Sequence, residues 1–276
     1  MIIAQITDTH ILPKGKEWLD QPETDTAGRL RHVVEHINRL MPRPDVLLLT
    51  GDTVEIGCKD AYQHLKEILK PLSMPVYVIP GNHDDREEMR AAFSDTSYIP
   101  QEGFLQYVID DFPVRLIALD TNVPNEDYGR LCKERLHWLE EKLVNLPPKP
   151  TLLFMHHYPM KVGQKCFDKM VFHMEGEFEK LIESFPHILG IVAGHYHKMC
   201  TSLFGGKICF VAPSAAPTHY FAKDEDNYFS AIDLVYPSFA LHRWMGKARM
   251  VSEGVQAVTS NNRLDRFKKT STDLAS

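Results

Sequence analysis

Five apolar runs in the sequence have the length and composition of β-strands, and each ends in polar residues that can bind a metal ion. The polar endings are TDTH after IIAQI, TGD after VLLL, PGNHDD after VYVI, HH after TLLFM and GHYH after LGIVA. In an open α/β sheet, ligands bind outside the carboxyl ends of the strands. The five endings therefore predict one shared pocket.

Amphipathic helical segments separate several of these runs. Residues 27–40 place apolar side chains at helical spacing behind Thr24 or Asp25, either of which can cap a helix. Further helices are predicted at about residues 59–70 and 133–145. Strands that alternate with helices are typical of layered α/β architecture.

The later part of the chain is predicted to contain more strands and a polar end. FLQYVIDDFPVRLIALD predicts a β-hairpin, and KICFVA, FSAIDLVY and FALHRW indicate a second sheet. Beyond Trp244 the sequence becomes polar and loses its periodicity. We therefore predict one domain over residues 1–247 and a C-terminal tail or peripheral arm over residues 248–276.

Charge and composition narrow the choice of partner and compartment. A net charge of −6 argues against a polymeric nucleic acid, because proteins bind its phosphates with clusters of Lys and Arg. No apolar run approaches the roughly 20 residues that span a bilayer, and no secretory signal is visible, so we expect a cytoplasmic protein without a membrane partner.

The five cysteines contain no C-x-x-C pair, which favours reduced thiols. A turn at the GG dipeptide would place Cys200 opposite Val211 rather than Cys209.

The spacing within the polar endings adds to the metal hypothesis. Side chains two positions apart on an extended strand project to the same face, which would pair Asp8 with His10 and His195 with His197. Glycines precede several candidate ligands and permit close approach of the backbone to an ion: Gly51, Gly81 and Gly194. Carboxylate, imidazole and amide donors without thiolate favour iron, manganese, cobalt or zinc over calcium.

The motifs D-x-H, G-D, G-N-H-D, H and G-H-x-H follow one another between residues 8 and 197, and together they resemble those of the calcineurin-like metallophosphoesterases. RPDVLLLTGD, PVYVIPGNHDD and FMHH are similar to segments of class III cyclic nucleotide phosphodiesterases and bacterial glycerophosphodiesterases. The resemblance implies an α/β fold, a four-layer α-β-β-α sandwich of two mixed sheets flanked by helices. It also implies that the domain predicted over residues 1–247 is catalytic.

Carried over position by position, the resemblance implies two transition metal ions, divalent or of mixed valence. The first ion would be held by Asp8, His10 and His197, the second by Asn82, His156 and His195, and Asp52 would bridge them. His83 would act catalytically, in contact with the scissile phosphate or its leaving oxygen. Asn82 and His83 would also contact the substrate, and His219 is a further candidate for substrate binding, with a structural role equally open.

Two positions depart from patterns of the superfamily. Glu55 stands where purple acid phosphatases have a tyrosine ligand, which argues against a tyrosinate-bound ferric site. HHYP replaces a pattern in which two prolines often follow the second histidine, so the loop after His157 is expected to differ in shape.

The resemblance implies a dinuclear metal-dependent phosphodiesterase, in which a hydroxide shared by the two ions attacks phosphorus. Its substrates would be small phosphodiesters, either 3',5'-cyclic nucleotides or glycerophosphodiesters. Two divalent ions, two aspartates and one hydroxide leave a net charge of about +1, which matches a phosphodiester monoanion. The alternatives are a metal-dependent phosphomonoesterase and a noncatalytic interaction module on the same fold, and a homo-oligomer is left open.

Several neighbouring polar and apolar residues are assigned structural roles instead. We expect His157 to have a packing or supporting role rather than to be a ligand, and Asp84 and Asp85 to cap the following helix. Four residues after His157 could form either an apolar wall for the substrate or ordinary core: Cys166, Phe167, Met170 and Phe172. The remaining histidines are expected to be structural: His32, His36, His64, His137, His173, His187 and His242.

Overall fold

A computed structural model describes residues 1–170, 172–173, 176–219 and 232–258 of the 276-residue chain. The strands are β1 (Ile2–Ile6), β2 (Val46–Thr50), β3 (Val76–Ile79), β4 (Tyr107–Ile109), β5 (Arg115–Leu119), β6 (Thr151–Met155), β7 (Ile188–Ala193), β8 (Cys200–Phe204), β9 (Lys207–Val211), β10 (Thr218–His219), β11 (Ile232–Asp233), β12 (Ser238–Trp244) and β13 (Met250–Gln256). The helices are α1 (Thr26–Asn38), α2 (Lys59–Leu69), α3 (Arg86–Ala92), α4 (Lys133–Asn145), α5 (Lys165–Lys169) and α6 (Glu177–Ser184). Two short 3-10 turns lie at Trp18–Asp20 and Pro22–Thr24.

The strands form two large mixed sheets. The first has the order β13-β12-β1-β2-β3, and the second has the order β4-β5-β6-β7-β9-β8. Within them, β1, β2 and β3 run parallel, as do β5, β6, β7 and β9. The predicted α/β sandwich of two mixed sheets flanked by helices is confirmed.

Apolar side chains on alternate positions of the strands assemble the layers. Leu152 and Phe154 of β6 join a core that also contains the first sheet and the apolar faces of α1 and α2. Leu153 and Met155 point the other way, into a core shared with α4 and α6. Because both faces of β6 are covered, its sequence is a continuous apolar run without polar alternation.

The predicted helices and the hairpin are confirmed with small shifts of boundary. Asp25 rather than Thr24 caps α1, since its carboxylate accepts a hydrogen bond from the Gly28 amide. The hairpin joins β4 and β5 in an antiparallel pair. All five cysteines are free thiols, and Cys200 pairs in register with Val211, as the turn chemistry predicted.

The prediction that the last strands belong to a second sheet is confirmed for β9 and wrong for β12. β9, from KICFVA, pairs with β7 in the second sheet, whereas β12, from FALHRW, pairs antiparallel with β1 in the first. Residues 229–231 of FSAIDLVY lie outside the described residues, and its Ile232–Asp233 segment pairs with β10. Sequence order does not reveal that the chain crosses from one sheet to the other between β9 and β12.

The first part of the predicted peripheral arm is an edge strand. Met250–Gln256 pairs along its whole length with β12. Residues 259–276 fall outside the described part, so the division of the chain near residue 247 stays a prediction. Among the described residues, no helix has both the length and the apolar character needed to cross a membrane.

His242 on β12 is a buried histidine in a hydrogen-bond chain that links the first sheet to the second through Gln5. Its Nε2 lies 3.0 Å from Gln5 Oε1, and the Gln5 amide group donates to the Ala193 carbonyl of the second sheet. Burial lowers the pKa of His242 to about 3. His242 therefore binds a proton below about pH 6.5 in the unfolded chain but only below about pH 3 in the folded chain. Because the unfolded state binds more protons between these values, lowering the pH decreases the free energy of unfolding.

We predict that His242→Gln makes stability less sensitive to acid. The glutamine keeps a polar group near Gln5 but does not titrate, so between pH 6 and 4.5 the variant should lose about 2 kcal/mol less of its free energy of unfolding than the wild type. Urea unfolding in the presence of a chelator measures this difference. The exposed His137→Gln serves as the control, and equal losses in His242→Gln and the wild type would contradict the prediction.

Candidate metal centre

The carboxyl ends of β1, β2, β3, β6 and β7 meet at one end of the sandwich. Backbone hydrogen bonds join the loops that follow them: the Asp8 amide donates to the Gly51 carbonyl, and the Gly194 amide donates to the His156 carbonyl. The Ala215 amide donates to the Thr7 carbonyl from the loop after β9. The polar endings found in the sequence are therefore brought together in space.

One group of donor atoms comes from Asp8, His10 and His197. The Nε2 atoms of His10 and His197 lie 3.1 Å apart, and Asp8 Oδ1 lies 3.5 Å from His197 Nε2. The Nδ1–H of His197 donates to the Pro217 carbonyl at 3.0 Å. This bond leaves the Nε2 lone pair of His197 facing His10 and Asp8.

A second group surrounds His156. Its Nε2 lies 3.3 Å from Asp52 Oδ2 and 3.2 Å from Asn82 Oδ1, while its Nδ1–H donates to the Thr50 carbonyl at 2.8 Å. The His195 ring lies 5.1 Å from the His156 ring. His195 donates from Nε2 to the Met170 carbonyl, which leaves Nδ1 as its donor atom for a metal.

Asp52 joins the two groups. Its Oδ2 lies 3.3 Å from His156 Nε2 and 3.8 Å from His10 Nε2, so one carboxylate faces both sets of donors. Ligand atoms of Asp8, Asp52 and His156 also lie within 4.8 Å of one another. The structure thus brings all seven sequence-predicted ligands into one continuous cluster.

The predicted extended geometry of the ligand pairs is wrong. β1 ends at Ile6 and β7 ends at Ala193, and the ligands lie in the loops beyond. Left-handed backbone positions the side chains: φ is 52° at Asp8, 46° at His10, 46° at Asp52, 70° at His195 and 59° at His197. Non-glycine residues in this region store strain that the surrounding structure must balance, and such residues cluster at functional sites.

Glycines allow the ligand loops to approach one another, while the predicted close approach of their backbone to an ion stays a prediction. A Cβ atom at Gly51 would collide with the His156 ring, and one at Gly81 would collide with the Asp52 carboxylate. A Cβ atom at Gly194 would collide with the Thr7 hydroxyl. The site therefore requires hydrogen in place of a side chain at these positions.

The carboxylates give the cluster a strong preference for positive charge. Burial alone would lower the pKa of His10, but its hydrogen bond to Glu55 and the charges of Asp52, Glu55 and Asp8 raise it to about 9. Burial would likewise lower the pKa of His156, which the charge of Asp52 raises to about 9. Burial and the nearby His156 lower the pKa of His195 to about 3, so His195 stays neutral.

This donor set fits a pair of metal ions. It offers two carboxylates, one amide and four imidazoles, and the other ring N–H of each imidazole donates to a protein oxygen. Donation to an oxygen fixes the tautomer and directs the remaining lone pair into the cluster. The fields that raise the pKa values of His10 and His156 would stabilise bound cations in the same way.

His83 and His219 lie at the edge of the cluster. The His83 amide donates to Asp52 Oδ1 at 3.0 Å, and the His83 ring lies 4.9 Å from the His10 ring. The His219 ring lies 5.0 Å from the His197 ring, and burial lowers the pKa of His219 to about 3. Both side chains are therefore close enough to border a substrate at the metal centre.

Asp85 caps α3, but the expectation that Asp84 also caps it is wrong. The Asp85 carboxylate accepts from the amides of Glu87 and Glu88. Asp84 is buried and accepts from the Thr53 and Gly81 amides and from the Tyr62 hydroxyl. It therefore fastens the loop after β2 to the loop after β3.

The apolar residues after His157 divide between core and site. Phe167 and Phe172 are buried in the core that the second sheet shares with α4 and α6, which favours the packing interpretation. The Met170 carbonyl accepts a hydrogen bond from His195 at the site. His157 Nδ1 lies 2.8 Å from the Thr121 hydroxyl, and its ring packs 4.6 Å from His195. The supporting role of His157 stays a prediction.

Sequence reasoning assigned no role at the site to three groups that border the ligands. Glu55 Oε2 lies 2.7 Å from His10 Nδ1, and Trp18 stacks on the His10 ring at 5.1 Å. The Asn122 amide group donates to the Gly81 carbonyl, next to Asn82. Glu55 lies three positions after Asp52, and this proximity in sequence could have indicated that it borders the site. No sequence pattern indicates the same for Trp18 or Asn122.

Comparison with known proteins gives consistent matches. The model of the calcineurin-like phosphoesterase family matches residues 1–199. A probable glycerophosphodiester phosphodiesterase GpdQ from Arcobacter nitrofigilis is 37% identical over 246 residues, which cover 88% of this chain and 89% of the relative. The 3',5'-cyclic adenosine monophosphate phosphodiesterase CpdA from Escherichia coli is 30% identical over 212 residues, with coverage of 77% and 75%.

Solved structures share the fold at low sequence identity. A dimetal phosphatase from Danio rerio has a TM-score of 0.64 and 16% identity, and the match covers 93% of this chain and 96% of that one. A purple acid phosphatase from yellow lupin seeds has a TM-score of 0.66 and 13% identity, with coverage of 93% and 51%. The similarity of fold to these structures therefore covers nearly the whole chain.

We predict that Gly51→Ala disrupts the cluster beyond the effect of backbone strain. The new methyl group would displace the His156 ring, so Mn²⁺ affinity measured by calorimetry should fall about tenfold or more. The chelated protein should also lose about 1–3 kcal/mol of stability relative to the control. That control is Gly15→Ala, whose φ of 78° resembles the 84° of Gly51 but whose added methyl meets nothing within 4 Å. Equal effects of the two substitutions would contradict the prediction.

Proposed function

This chain belongs to the calcineurin-like phosphoesterase family, and we propose that it hydrolyses small phosphodiesters at the metal centre after β1, β2, β3, β6 and β7. It is a metal-dependent phosphoric diester hydrolase. The observation that carries the proposal is the position of Asp52, whose one carboxylate faces donor groups of both predicted ion sites.

The two groups of donors support a division of the ligand roles. We assign the first ion to Asp8, His10 and His197, the second to Asn82, His156 and His195, and the bridge between them to Asp52. The contacts of His156 with Asn82 and Asp52 support the second set. The choice among manganese, iron, zinc and cobalt is part of the proposal, since this mixture of oxygen and nitrogen donors suits all four metals.

The protein's own residues bind and orient the substrate. When bound, the ions lower the pKa of water to supply the nucleophile and stabilise charge on the phosphate oxygens. Asn82 and His83 follow β3 side by side and would contact the phosphate. The His83 Nδ1–H donates to the Glu55 carbonyl at 3.1 Å, which leaves Nε2 for the leaving oxygen. We assign His83 the role of stabilising or protonating that oxygen, as general acid catalysis requires.

Glycerophosphodiesters are the substrates we propose first. The relative named for them matches at higher identity and over more of the chain than the relative named for cyclic AMP. Cyclic nucleotides are the second candidate, supported by that relative. His219, beside His197, would contact the part of the substrate beyond the phosphate.

Removing the bridge should abolish hydrolysis. We expect Asp52→Ala to lower kcat/KM for bis(p-nitrophenyl) phosphate, assayed with Mn²⁺, by about 10³-fold or more, equivalent to about 4 kcal/mol of transition-state stabilisation. Asp95→Ala, which removes an exposed carboxylate paired with Lys66, should leave turnover unchanged. Undiminished turnover in Asp52→Ala would remove the proposed mechanism.

The charge of the site should favour diesters over monoesters. Two divalent ions with Asp8, Asp52 and one hydroxide carry a net charge of about +1, which matches a diester monoanion, so kcat/KM for bis(p-nitrophenyl) phosphate should exceed that for p-nitrophenyl phosphate by about tenfold or more at pH 8. The two compounds share one leaving group, so the comparison does not depend on the basicity of the departing oxygen. Parallel assays of glycerophosphoethanolamine, cyclic AMP and cyclic GMP then rank the natural candidates, and faster monoester hydrolysis would favour a phosphomonoesterase instead.

A further inference from the structure

One carboxylate beside the metal centre approaches two histidines of different predicted roles. Glu55 Oε2 lies 2.7 Å from Nδ1 of His10, a proposed ligand, and 3.5 Å from Nδ1 of His83, which we place at the leaving oxygen. The Glu55 backbone carbonyl accepts from the same His83 nitrogen at 3.1 Å. Glu55 therefore contacts both histidines without belonging to either set of ligands.

The backbone holds Glu55 in this position. Its amide donates to the Ile11 carbonyl at 3.0 Å, and Ile11 forms a bridge with Val54. These contacts join the loop after β2 to the loop that carries His10. The Glu55 side chain is 21% exposed, so it is largely enclosed between the two histidines.

We propose that Glu55 is a positioning residue that holds the imidazoles of His10 and His83 through its side chain and carbonyl, and so couples affinity for the first metal ion to the orientation of His83. The inference rests on the proposed function. For His10, accepting the Nδ1 proton fixes the tautomer that presents Nε2 to the ion and raises the basicity of that nitrogen. For His83, the two contacts hold Nδ1 toward Glu55 and Nε2 toward the substrate.

A separate ion held by His10, Glu55 and His83 is the competing interpretation of this cluster. Their ligand atoms lie within 4.8 Å of one another. However, the Nδ1 of His10 is the atom that contacts Glu55, while its Nε2 faces His197 and Asp52. A hydrogen bond from Nδ1 uses both nitrogens without requiring one imidazole to bridge two ions.

Metal titration tests the effect on His10. Calorimetry on metal-free, full-length protein with Mn²⁺ should show one of the two binding events, that of the first ion, weakened about 10- to 100-fold in Glu55→Gln and Glu55→Ala. Glu67→Gln, an exposed carboxylate paired with Lys14, is the matched control and should bind as the wild type does. Unchanged affinity in Glu55→Ala, or a third Mn²⁺ equivalent lost on substitution, would overturn the proposal.

A spectroscopic signature separates positioning from general stabilisation. In Zn²⁺-loaded protein labelled with ¹⁵N-histidine, the Nδ1 proton of His10 should give a slowly exchanging signal, shifted downfield by its bond to a carboxylate. Glu55→Gln should shift this signal upfield, and Glu55→Ala should abolish it, whereas Glu67→Gln should leave it in place. An identical His10 signal in Glu55→Ala would contradict the proposal even if the variant were less stable.

The dependence on leaving group tests the effect on His83. A misplaced acid matters most when the departing oxygen is basic, so Glu55→Ala should lose about tenfold more kcat for an alkyl leaving group than for p-nitrophenolate. Equal losses would overturn the role at His83. If wild-type protein hydrolysed no diester, the proposed function would fail, while the calorimetry and NMR would still decide whether Glu55 holds His10.

Discussion

The buried carboxylate of Asp52 is the constraint on which the site depends. Burial would raise the pKa of this carboxyl, but the charges of His156 and His83 lower it well below its ordinary value. An ionised carboxylate in the interior is costly unless positive charge and hydrogen-bond donors surround it. The His83 amide provides one such donor at 3.0 Å, and the imidazoles and metal ions proposed here provide the positive charge.

The unusual backbone of the loops follows from that requirement. Donors can converge on one carboxylate only if the chain turns sharply after each strand, and left-handed residues such as Asp8 and His195 make those turns. The His195 amide donates to both oxygens of Asp8, at 3.1 and 3.0 Å, so one left-handed residue holds the side chain of another. The backbone strain of the left-handed residues is therefore spread over several loops, and hydrogen bonds between these loops balance it.

The sequence predicted the strand endings because a polar group directly after an apolar run is visible in one dimension. It predicted which residues could meet, but not how, since the left-handed backbone at His10 and His197 depends on contacts between distant loops. The roles of Asp84 and Asp85 were indistinguishable as neighbouring carboxylates, because the Thr53 and Tyr62 partners of Asp84 lie elsewhere in the chain. The return of β12 beside β1 is a further pairing that no local pattern encodes.

The division of ligands between the two sheets links metal binding to the fold. The first proposed ion joins Asp8 and His10, after β1, to His197, after β7 of the other sheet. The second joins Asn82, after β3, to residues after β6 and β7. Each ion would therefore connect the sheets across their interface, and neither set is complete within one sheet. Binding to the folded state alone adds about 2.7 kcal/mol of stability at a metal concentration 100 times the dissociation constant. Because that free energy acts across the sheet interface, it stabilises the packing of the whole sandwich and not only the loops that carry the ligands.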